Sequence, residues 1–346
     1  MTHAPSSSRP RRAYGRTRLA AILFALPLFC VACVERQPKG TLAYVSNERD
    51  GTITVIDTKT DAVVSTIQLG AVRARGVRLS PDGKTLYVAL STPPGKLYED
   101  ADNRIAAIDT ASGRVTAKYE VGRDPEQLAV SSDGKLIYAS NEDAGTATVT
   151  DIETRRTIAT LVVGIEPEGV SISPDGRWVY VTAETSNTVS VIDTRKNEVT
   201  ASFTVASRPR DAAFSPDGTR AYVSTEIGRT LEVVDTGTHT ILKTIRLPPA
   251  ANVKPMGVVV SRDGGSVYVA NGRGNSVSVV DAKSLEVVRA IPVGERVWGL
   301  ALTPDGRKLY AANSLSNDVS VIDTATHEIV ATVKAGDGPW GIVIKP

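Results

Sequence analysis

The chain consists largely of seven copies of one short unit, and this repetition constrains its fold more than any other feature. Each copy carries a tyrosine in one apolar segment and an aspartate at the end of the next. Successive aspartates are separated by 52, 42, 42, 42, 46 and 42 residues. A unit this short cannot bury its own apolar face, so each copy must pack against its neighbours. The aspartates are Asp57, Asp109, Asp151, Asp193, Asp235, Asp281 and Asp323.

The copy at residues 168–205 shows how one unit is composed. Short segments rich in Val, Ile, Thr and Tyr, which favour β-strands, lie at residues 168–173, 177–182, 188–193 and 199–205. Four strands per unit and a period of about 40–45 residues are typical of a β-propeller blade. We therefore predict an all-β chain, a seven-bladed β-propeller whose blades are four-stranded antiparallel sheets.

The ring is predicted to close by pairing the two ends of the repeat region. An Asp-Gly turn joins the first two strands in six units, as at Asp175-Gly176, but a seventh turn is missing. Residues 340–345 form a first strand without a second, and residues 41–46 form a second strand without a first. One blade built from residues 340–345 and 41–69 removes both defects and leaves no open sheet edge.

The first 32 residues differ in composition from the repeats. They hold five arginines and no acidic residue, and an apolar run over residues 19–32 follows the arginines. This is typical of a secretory signal peptide and is too short for a membrane span. Residues 33–40 are predicted to be a short tether and residues 41–346 the propeller. Lipidation of Cys33 and plain export after cleavage nearby are alternatives, and both place the protein in the periplasm or on the cell envelope.

Charge and the rarity of reactive residues argue against several functions. Loss of residues 1–32 removes five of the 40 Lys and Arg and none of the 38 Asp and Glu, which leaves 35 basic and 38 acidic residues. Composition therefore gives no support for nucleic-acid binding. No His, Cys or carboxylate cluster has metal-ligand spacing, and there is no CxxCH haem motif, so we predict no metal and no cofactor. His239 and His327 are predicted to be solvated turn residues, and the repeated aspartates to cap turns.

Several motifs carry a family resemblance. YVSN, TVSVIDT and SPDGKTLYVA in residues 41–346 resemble the YVTN-type propeller family. The connections RARGVRLSPDG, GIEPEGVSISPDG and GERVWGLALTPDG are most similar to the seven-bladed propellers associated with pyrroloquinoline-quinone (PQQ)-dependent catabolism. That resemblance implies an exported accessory protein of a quinoprotein alcohol oxidation system. The implied partner is a quinoprotein dehydrogenase or its cytochrome.

Each blade is predicted to place one side chain at the mouth of the central channel, directly before its inner strand. We call these seven side chains the mouth ring, and they are predicted to form the binding face. The alternative is that the tryptophans plug the channel and the charges pair with one another. The two longest loops, Ser91–Asn103 and Pro248–Lys254, are expected on the same face. The mouth ring comprises Arg75, Glu126, Glu168, Arg210, Met256, Trp298 and Trp340. A neighbouring set of carboxylates comprises Glu48, Glu142, Glu184 and Glu226.

Three functions compete at this point. The first is a non-enzymatic scaffold that binds a periplasmic protein or a small ligand, because Trp, Met and Arg are enriched in interface cores. The second is a propeller-type hydrolase such as a lactonase, or a lyase, with carboxylates from Glu126 and Glu168 but no histidine near them. The third is a nucleic-acid-binding propeller, which the acidic mature chain disfavours.

Overall fold

The structure, a computed structural model, describes residues 40–93, 102–248 and 252–345. Their strands form seven four-stranded antiparallel sheets, and within these ranges the one helical element is a single 3₁₀ turn at Glu142–Ala144. The predicted seven-bladed all-β propeller is confirmed. In this part of the chain no helix has the length and apolarity that a bilayer crossing requires. The predicted signal peptide and Cys33 lie outside the described residues.

The strands follow one another from the inner to the outer position in each blade. Blade 1 contains β28 (Pro339–Ile344), β1 (Leu42–Asn47), β2 (Thr52–Asp57) and β3 (Ala62–Gln68). Blade 2 contains β4 (Arg73–Leu79), β5 (Thr85–Ser91), β6 (Arg104–Asp109) and β7 (Arg114–Glu120). Blade 3 contains β8 (Pro125–Val130), β9 (Leu136–Asn141), β10 (Thr146–Asp151) and β11 (Arg156–Val162). Blade 4 contains β12 (Pro167–Ile172), β13 (Trp178–Ala183), β14 (Thr188–Asp193) and β15 (Glu198–Thr204). Blade 5 contains β16 (Pro209–Phe214), β17 (Arg220–Thr225), β18 (Thr230–Asp235) and β19 (Thr240–Arg246). Blade 6 contains β20 (Val258–Val260), β21 (Ser266–Ala270), β22 (Ser276–Asp281) and β23 (Glu286–Pro292). Blade 7 contains β24 (Val297–Leu302), β25 (Lys308–Asn313), β26 (Asp318–Asp323) and β27 (Glu328–Lys334).

Ring closure takes place in blade 1, as the unpaired terminal strands predicted. Strand β28 pairs antiparallel with β1, so that Val45 lies opposite Ile342. The Gly341 amide also donates a hydrogen bond of 2.9 Å to the Ser46 hydroxyl. The inner strand of blade 1 is therefore supplied by the segment that follows blade 7, and it is held by backbone pairing with β1 that shifts register between Val45 and Asn47.

The turns are fixed by local chemistry in every blade. All six Asp-Gly turns place their glycine in the left-handed region, with φ between 65° at Gly83 and 72° at Gly176. The aspartates that end the third strands accept backbone amides, as from Thr154 to Asp151 at 2.7 Å and from Ser284 to Asp281 at 2.7 Å. The prediction that these aspartates cap turns is confirmed, and the backbone amides are the main cause of the lowered pKa values of Asp151, Asp281 and Asp323.

The inner strands approach one another very closely around the channel. Five of the seven residues that follow the mouth ring in sequence are glycines, and the other two are Gln127 and Asp211. A β-carbon at Gly299 would lie 2.6 Å from the Trp340 carbonyl oxygen, and one at Gly257 would lie 2.6 Å from the Trp298 carbonyl oxygen. Glycine is required there because the neighbouring backbone occupies the space that a side chain would need.

Candidate functional site

The structure brings most of the mouth ring together around one cavity. Arg75, Glu126, Glu168, Arg210, Trp298 and Trp340 all line a cavity of about 250 Å³ at one end of the channel. Met256 does not line it: this side chain is 2% exposed and packs into the apolar core of blades 6 and 7. Six of the seven predicted residues thus line the mouth cavity, while Met256 lines the adjoining channel and packs against the core.

Arg75 is the centre of the first of two ion clusters at the mouth. Its guanidinium contacts Glu126 and lies 3.2 Å from Glu48, 3.5 Å from Glu142 and 3.7 Å from Asp124. Arg75 is buried, so its pairing with several carboxylates offsets the cost of removing the guanidinium from water.

The carboxylates around Arg75 have the composition of a cation site. Oxygen atoms of Asp124, Glu126 and Glu142 lie within 4.8 Å of one another, which suits a hard divalent cation. The Arg75 guanidinium already contacts or closely approaches all three carboxylates. The positive charge that such a cluster needs is therefore supplied by the protein itself.

Arg210 is the centre of the second cluster. It contacts Glu184 and lies 2.7 Å from Glu226 and 3.5 Å from Glu168. Arg208 reinforces the cluster, since its guanidinium lies 2.6 Å from Glu184 and 3.0 Å from Glu226. The four carboxylates predicted to neighbour the mouth ring all enter one cluster or the other. The alternative expectation, that the charges pair among themselves, therefore describes the arginines of the mouth ring.

Burial governs the protonation of these carboxyl groups. Desolvation raises the pKa of Glu168 well above its ordinary value, Glu184 raises it further, and Arg210 opposes the rise. Desolvation also raises the pKa values of Glu184, Glu142 and Asp124. Glu226 differs, because the arginines and Lys254 outweigh its burial and lower its pKa. Raised pKa values favour the neutral carboxylic acids over the carboxylates. The net charge at the mouth therefore becomes more positive, because its guanidinium groups stay charged.

The two tryptophans form an aromatic wall of the mouth. Their rings stack with centroids 5.2 Å apart and an interplanar angle of 26°. The guanidinium carbons of Arg210 and Arg296 each lie 5.2 Å from the Trp298 ring centroid, within the range of cation–π attraction. Trp340 is 4% exposed, whereas Trp298 is half-buried.

Arg296 is a mouth residue that the sequence reasoning missed. It lies two positions before Trp298 and lines the same cavity, yet among the described residues no carboxylate lies within 4.0 Å of its guanidinium. Its Nε atom and the Trp298 Nε1 atom are buried and have no acceptor in the described part of the chain. Burial lowers the pKa of Arg296, and the nearby Arg273 and Arg210 add to this effect. The sequence did contain a signal for this residue. Arg296 lies two residues before the mouth-ring residue Trp298, just as Arg208 lies two residues before the mouth-ring residue Arg210.

Other predicted features lie away from the mouth or outside the described chain. Residues 94–101 of loop Ser91–Asn103 and residues 249–251 of loop Pro248–Lys254 lie outside the described residues. His239 is at the predicted turn but is not simply solvated, because its Nδ1 atom lies 2.7 Å from the Tyr180 hydroxyl. The ring of His239 also packs edge-on against Trp178. His239 therefore ties neighbouring blades together, far from the channel.

Two family models match the chain. The model described as choice-of-anchor I domain matches residues 31–207, which is just over half of the chain. The model described as lactonase, 7-bladed beta-propeller, matches residues 193–345. The chain therefore belongs to the choice-of-anchor I domain family, and its second half is similar to the seven-bladed lactonase propellers. A comparison with curated protein sequences gave no match.

Solved structures share the fold at low sequence identity. A putative 6-phosphogluconolactonase from Bacteroides uniformis has a TM-score of 0.72 at 17% identity, covering 88% of this chain and 100% of its own. A functionally unknown protein from Desulfotomaculum acetoxidans has a TM-score of 0.71 at 20% identity, covering 88% and 99%. Hydrazine synthase from Kuenenia stuttgartiensis has a TM-score of 0.68 at 23% identity, covering 78% and 88%. At these identities the likeness establishes the seven-bladed propeller fold alone.

Proposed function

We propose that this protein binds a small organic anion at the mouth ring without catalysing a reaction on it. The observation that supports this most directly is the pair of buried donors, Arg296 Nε and Trp298 Nε1, that have no acceptor among the described residues. A buried donor without a partner costs about 1–3 kcal/mol, and more when the group is charged. An anion that accepts from both donors would recover this free energy and would also neutralise Arg296.

The surroundings of these donors favour a ligand with a planar carboxylate. An arginine presents its N–H groups in a fixed geometry that matches a carboxylate, and such charge-assisted bonds are stronger than neutral ones. The adjacent Trp298 and Trp340 rings offer apolar surface to the rest of the ligand. An aryl or alkyl carboxylate combines both features.

The physiological setting is part of the proposal. Oxidation of alcohols leads to carboxylic acids, so a carboxylate ligand fits an exported accessory of a quinoprotein alcohol oxidation system, as the sequence resemblance implies. The partner would be a quinoprotein dehydrogenase or its cytochrome, docked on the loop-rich face that surrounds the mouth. Export depends on residues 1–32 acting as a signal peptide, with Cys33 as the candidate lipid anchor.

Calorimetric titration with benzoate and benzamide tests the anion site, because the two probes differ mainly in charge. Benzoate should bind at least about tenfold more tightly than benzamide, since one charge-assisted bond is worth ~1.5–3 kcal/mol and ~1.4 kcal/mol is one decade. Arg296→Gln should abolish that difference. Arg177→Gln is the matched control, because Arg177 lies 4.4 Å from the Trp178 ring at another surface of the propeller. Equal affinities for both probes, or unchanged benzoate binding in Arg296→Gln, would refute the proposal.

A lactone hydrolase is the second candidate, and two observations favour it. The second half of the chain matches the lactonase propeller model. The mouth also holds the carboxyl groups of Glu168 and Glu184 beside Arg210, a combination that can activate water and stabilise an oxyanion. Hydrolysis of a lactone yields a hydroxycarboxylate, which the same anion site would accept.

A pH-stat assay with glucono-δ-lactone separates the two candidates. A hydrolase should accelerate acid release above the spontaneous rate, and Glu168→Gln should remove that acceleration. A binding protein should leave the rate unchanged while the benzoate titration still shows binding. If Glu168→Gln still hydrolyses the lactone, the activity does not depend on the carboxyl groups of Glu168 and Glu184.

A further inference from the structure

Below the mouth, the channel contains a second polar region that the proposed mouth site does not use. The channel encloses about 470 Å³ and is lined by all seven inner strands. Its wall is formed mainly by glycine, alanine and branched aliphatic residues. The charged residues Glu168 and Arg210, which also line the mouth, and the short side chain of Ser171 interrupt this wall. Deeper in the chain's inner strands, and not lining the mouth cavity, it also carries Arg78, Gln127 and Asp211.

Asp211 stands at a position where a side chain is unusual. Five blades have glycine there because the next inner strand leaves no room for a β-carbon, as at Gly169, where a β-carbon would lie 2.5 Å from the Arg210 carbonyl oxygen. The Asp211 carboxylate accepts the backbone amides of Val258 at 3.1 Å and Ala212 at 2.9 Å. These bonds hold the carboxylate in the channel wall and leave lone pairs free on both oxygens.

Arg78 is the one charged residue among the seven side chains of its layer of the channel. Its Nη1 atom donates to the Val77 carbonyl at 2.9 Å, and within the described ranges no carboxylate lies within 4.0 Å of its guanidinium. Blades 2 and 5, which carry Arg78 and Asp211, are three blades apart in a ring of seven. The two charges therefore face one another across the channel, separated by more than salt-bridge distance. The layer comprises Arg78, Ala129, Ser171, Ala213, Val259, Ala301 and Val343.

The two charges influence one another although they do not touch. Desolvation raises the pKa of Asp211 to about 6, and Arg78 partly opposes the rise. Burial lowers the pKa of Arg78, and Asp211 opposes that shift. The Gln127 oxygen is also buried without a donor among the described residues. The gap between the charges is thus a polar cavity in which each charged group lacks a direct counter-charge.

We propose that the channel between Arg78 and Asp211 is a second ligand site, for a small zwitterion of the α-amino acid class. The carboxylate of the ligand would pair with Arg78 and its ammonium group with Asp211, which satisfies both charges at once. An apolar side chain of the ligand would contact the layer below, which is entirely apolar. That layer includes Leu79, Val130, Ile172, Phe214, Val260 and Leu302.

Three probes of similar shape test the charge requirement by calorimetric titration of the full chain. L-leucine carries both charges, 4-methylpentanoate lacks the ammonium group, and 3-methylbutylamine lacks the carboxylate. L-leucine should bind at least about tenfold more tightly than either half-ligand, since one decade is ~1.4 kcal/mol. No binding of any probe, which would mean a channel filled by water only, overturns the proposal. Equal binding of L-leucine and 4-methylpentanoate also overturns it.

Substitutions of Arg78 and Asp211 show which charged group of the ligand each residue binds. Arg78→Gln should weaken L-leucine and 4-methylpentanoate alike, whereas Asp211→Asn should weaken L-leucine and leave 4-methylpentanoate unchanged. Arg78→Lys keeps the charge and should retain part of the affinity, which guards against a variant that is merely misfolded. Arg296→Gln is the control for the mouth, because Arg296 lines the mouth cavity and not the channel. Loss of L-leucine binding in Arg296→Gln, with normal binding in Arg78→Gln, would place the ligand at the mouth and refute the channel site.

Discussion

Replacement of one isoleucine by alanine tests whether β28 closes the ring in solution. Ile342 is 5% exposed and packs against Ala43, Val45 and Tyr310 of the blade 1 and blade 7 core. Ile329, on the outer strand of blade 7, is 44% exposed. The same chemical change at Ile342 and at Ile329 therefore removes very different amounts of buried surface.

The expected cost follows from the burial. An isoleucine-to-alanine change in a packed core costs about 2–5 kcal/mol, so we expect ~3 kcal/mol for Ile342→Ala. Ile329→Ala should cost less than about 1 kcal/mol. With an unfolding entropy of about 2.1 cal/mol/K per residue over roughly 300 residues, ~3 kcal/mol lowers Tm by about 5 °C.

Thermal and urea unfolding of the wild type and the two variants, followed by circular dichroism, measures these differences. Ile342→Ala should unfold at a temperature several degrees lower than Ile329→Ala does. Its midpoint urea concentration should also be clearly lower. If the two variants unfold together, the contact of β28 with β1 contributes nothing to stability. Closure of the ring by the terminal strand would then be refuted.

Three further predictions concern protonation, the mouth ring and export. The pKa of Asp211 is raised from 3.8 to about 6, so its ionisation destabilises the folded state as pH rises through this range. Relative to Asp211→Asn, the wild type should therefore lose about 2 kcal/mol of unfolding free energy between pH 4 and pH 7 in urea titrations, and a constant difference would contradict the shift. Trp298→Ala should weaken benzoate binding about tenfold while Tm changes little; a large fall in Tm with normal binding would make Trp298 a packing residue. Mass spectrometry of protein from fractionated cells should show residues 1–32 removed, and Cys33→Ser should release the protein from the membrane fraction if Cys33 is lipidated. An intact N-terminus would contradict export.

The features that the sequence predicted are those that depend on nearby residues or that follow from counting the strands and turns in each repeat. Asp-Gly turns and strand-ending aspartates act within a few residues of one another, so their roles are visible in one copy of the repeat. The closing blade followed from the two strands left over at residues 41–46 and 340–345. Strand boundaries in the unit at 168–205 were predicted to within one residue. The remaining difference arises because the alternation of apolar residues shows where a strand lies but not which residue makes its last backbone hydrogen bond.

The features that the sequence did not predict depend on neighbours far apart in the chain. The unpaired state of Arg296 is visible only once the partners of Arg75 and Arg210 are known. Arg78 and Asp211 face one another because their blades are three apart in one direction around the ring and four apart in the other, and no repeat pattern encodes that arrangement. The glycines after the mouth ring were a signal that could have been used, since Asp211 and Gln127 stand out against them. Met256 was grouped with the mouth by its repeat position, and its flexible apolar side chain lines the channel while it packs against the core of blades 6 and 7.

The pairing of β28 with β1 also decides when this molecule can finish folding during its synthesis. The bond from Gly341 to Ser46 joins residues 295 positions apart. At about 5–20 residues per second, a ribosome needs roughly 15–60 s to make the intervening chain. Throughout that time β1 has an open edge, and the first blade has no inner strand. A nascent chain of this kind therefore keeps the inner edge of its first blade open until Pro339–Ile344 has been made, so blade 1 is completed only after the other six blades have been synthesised.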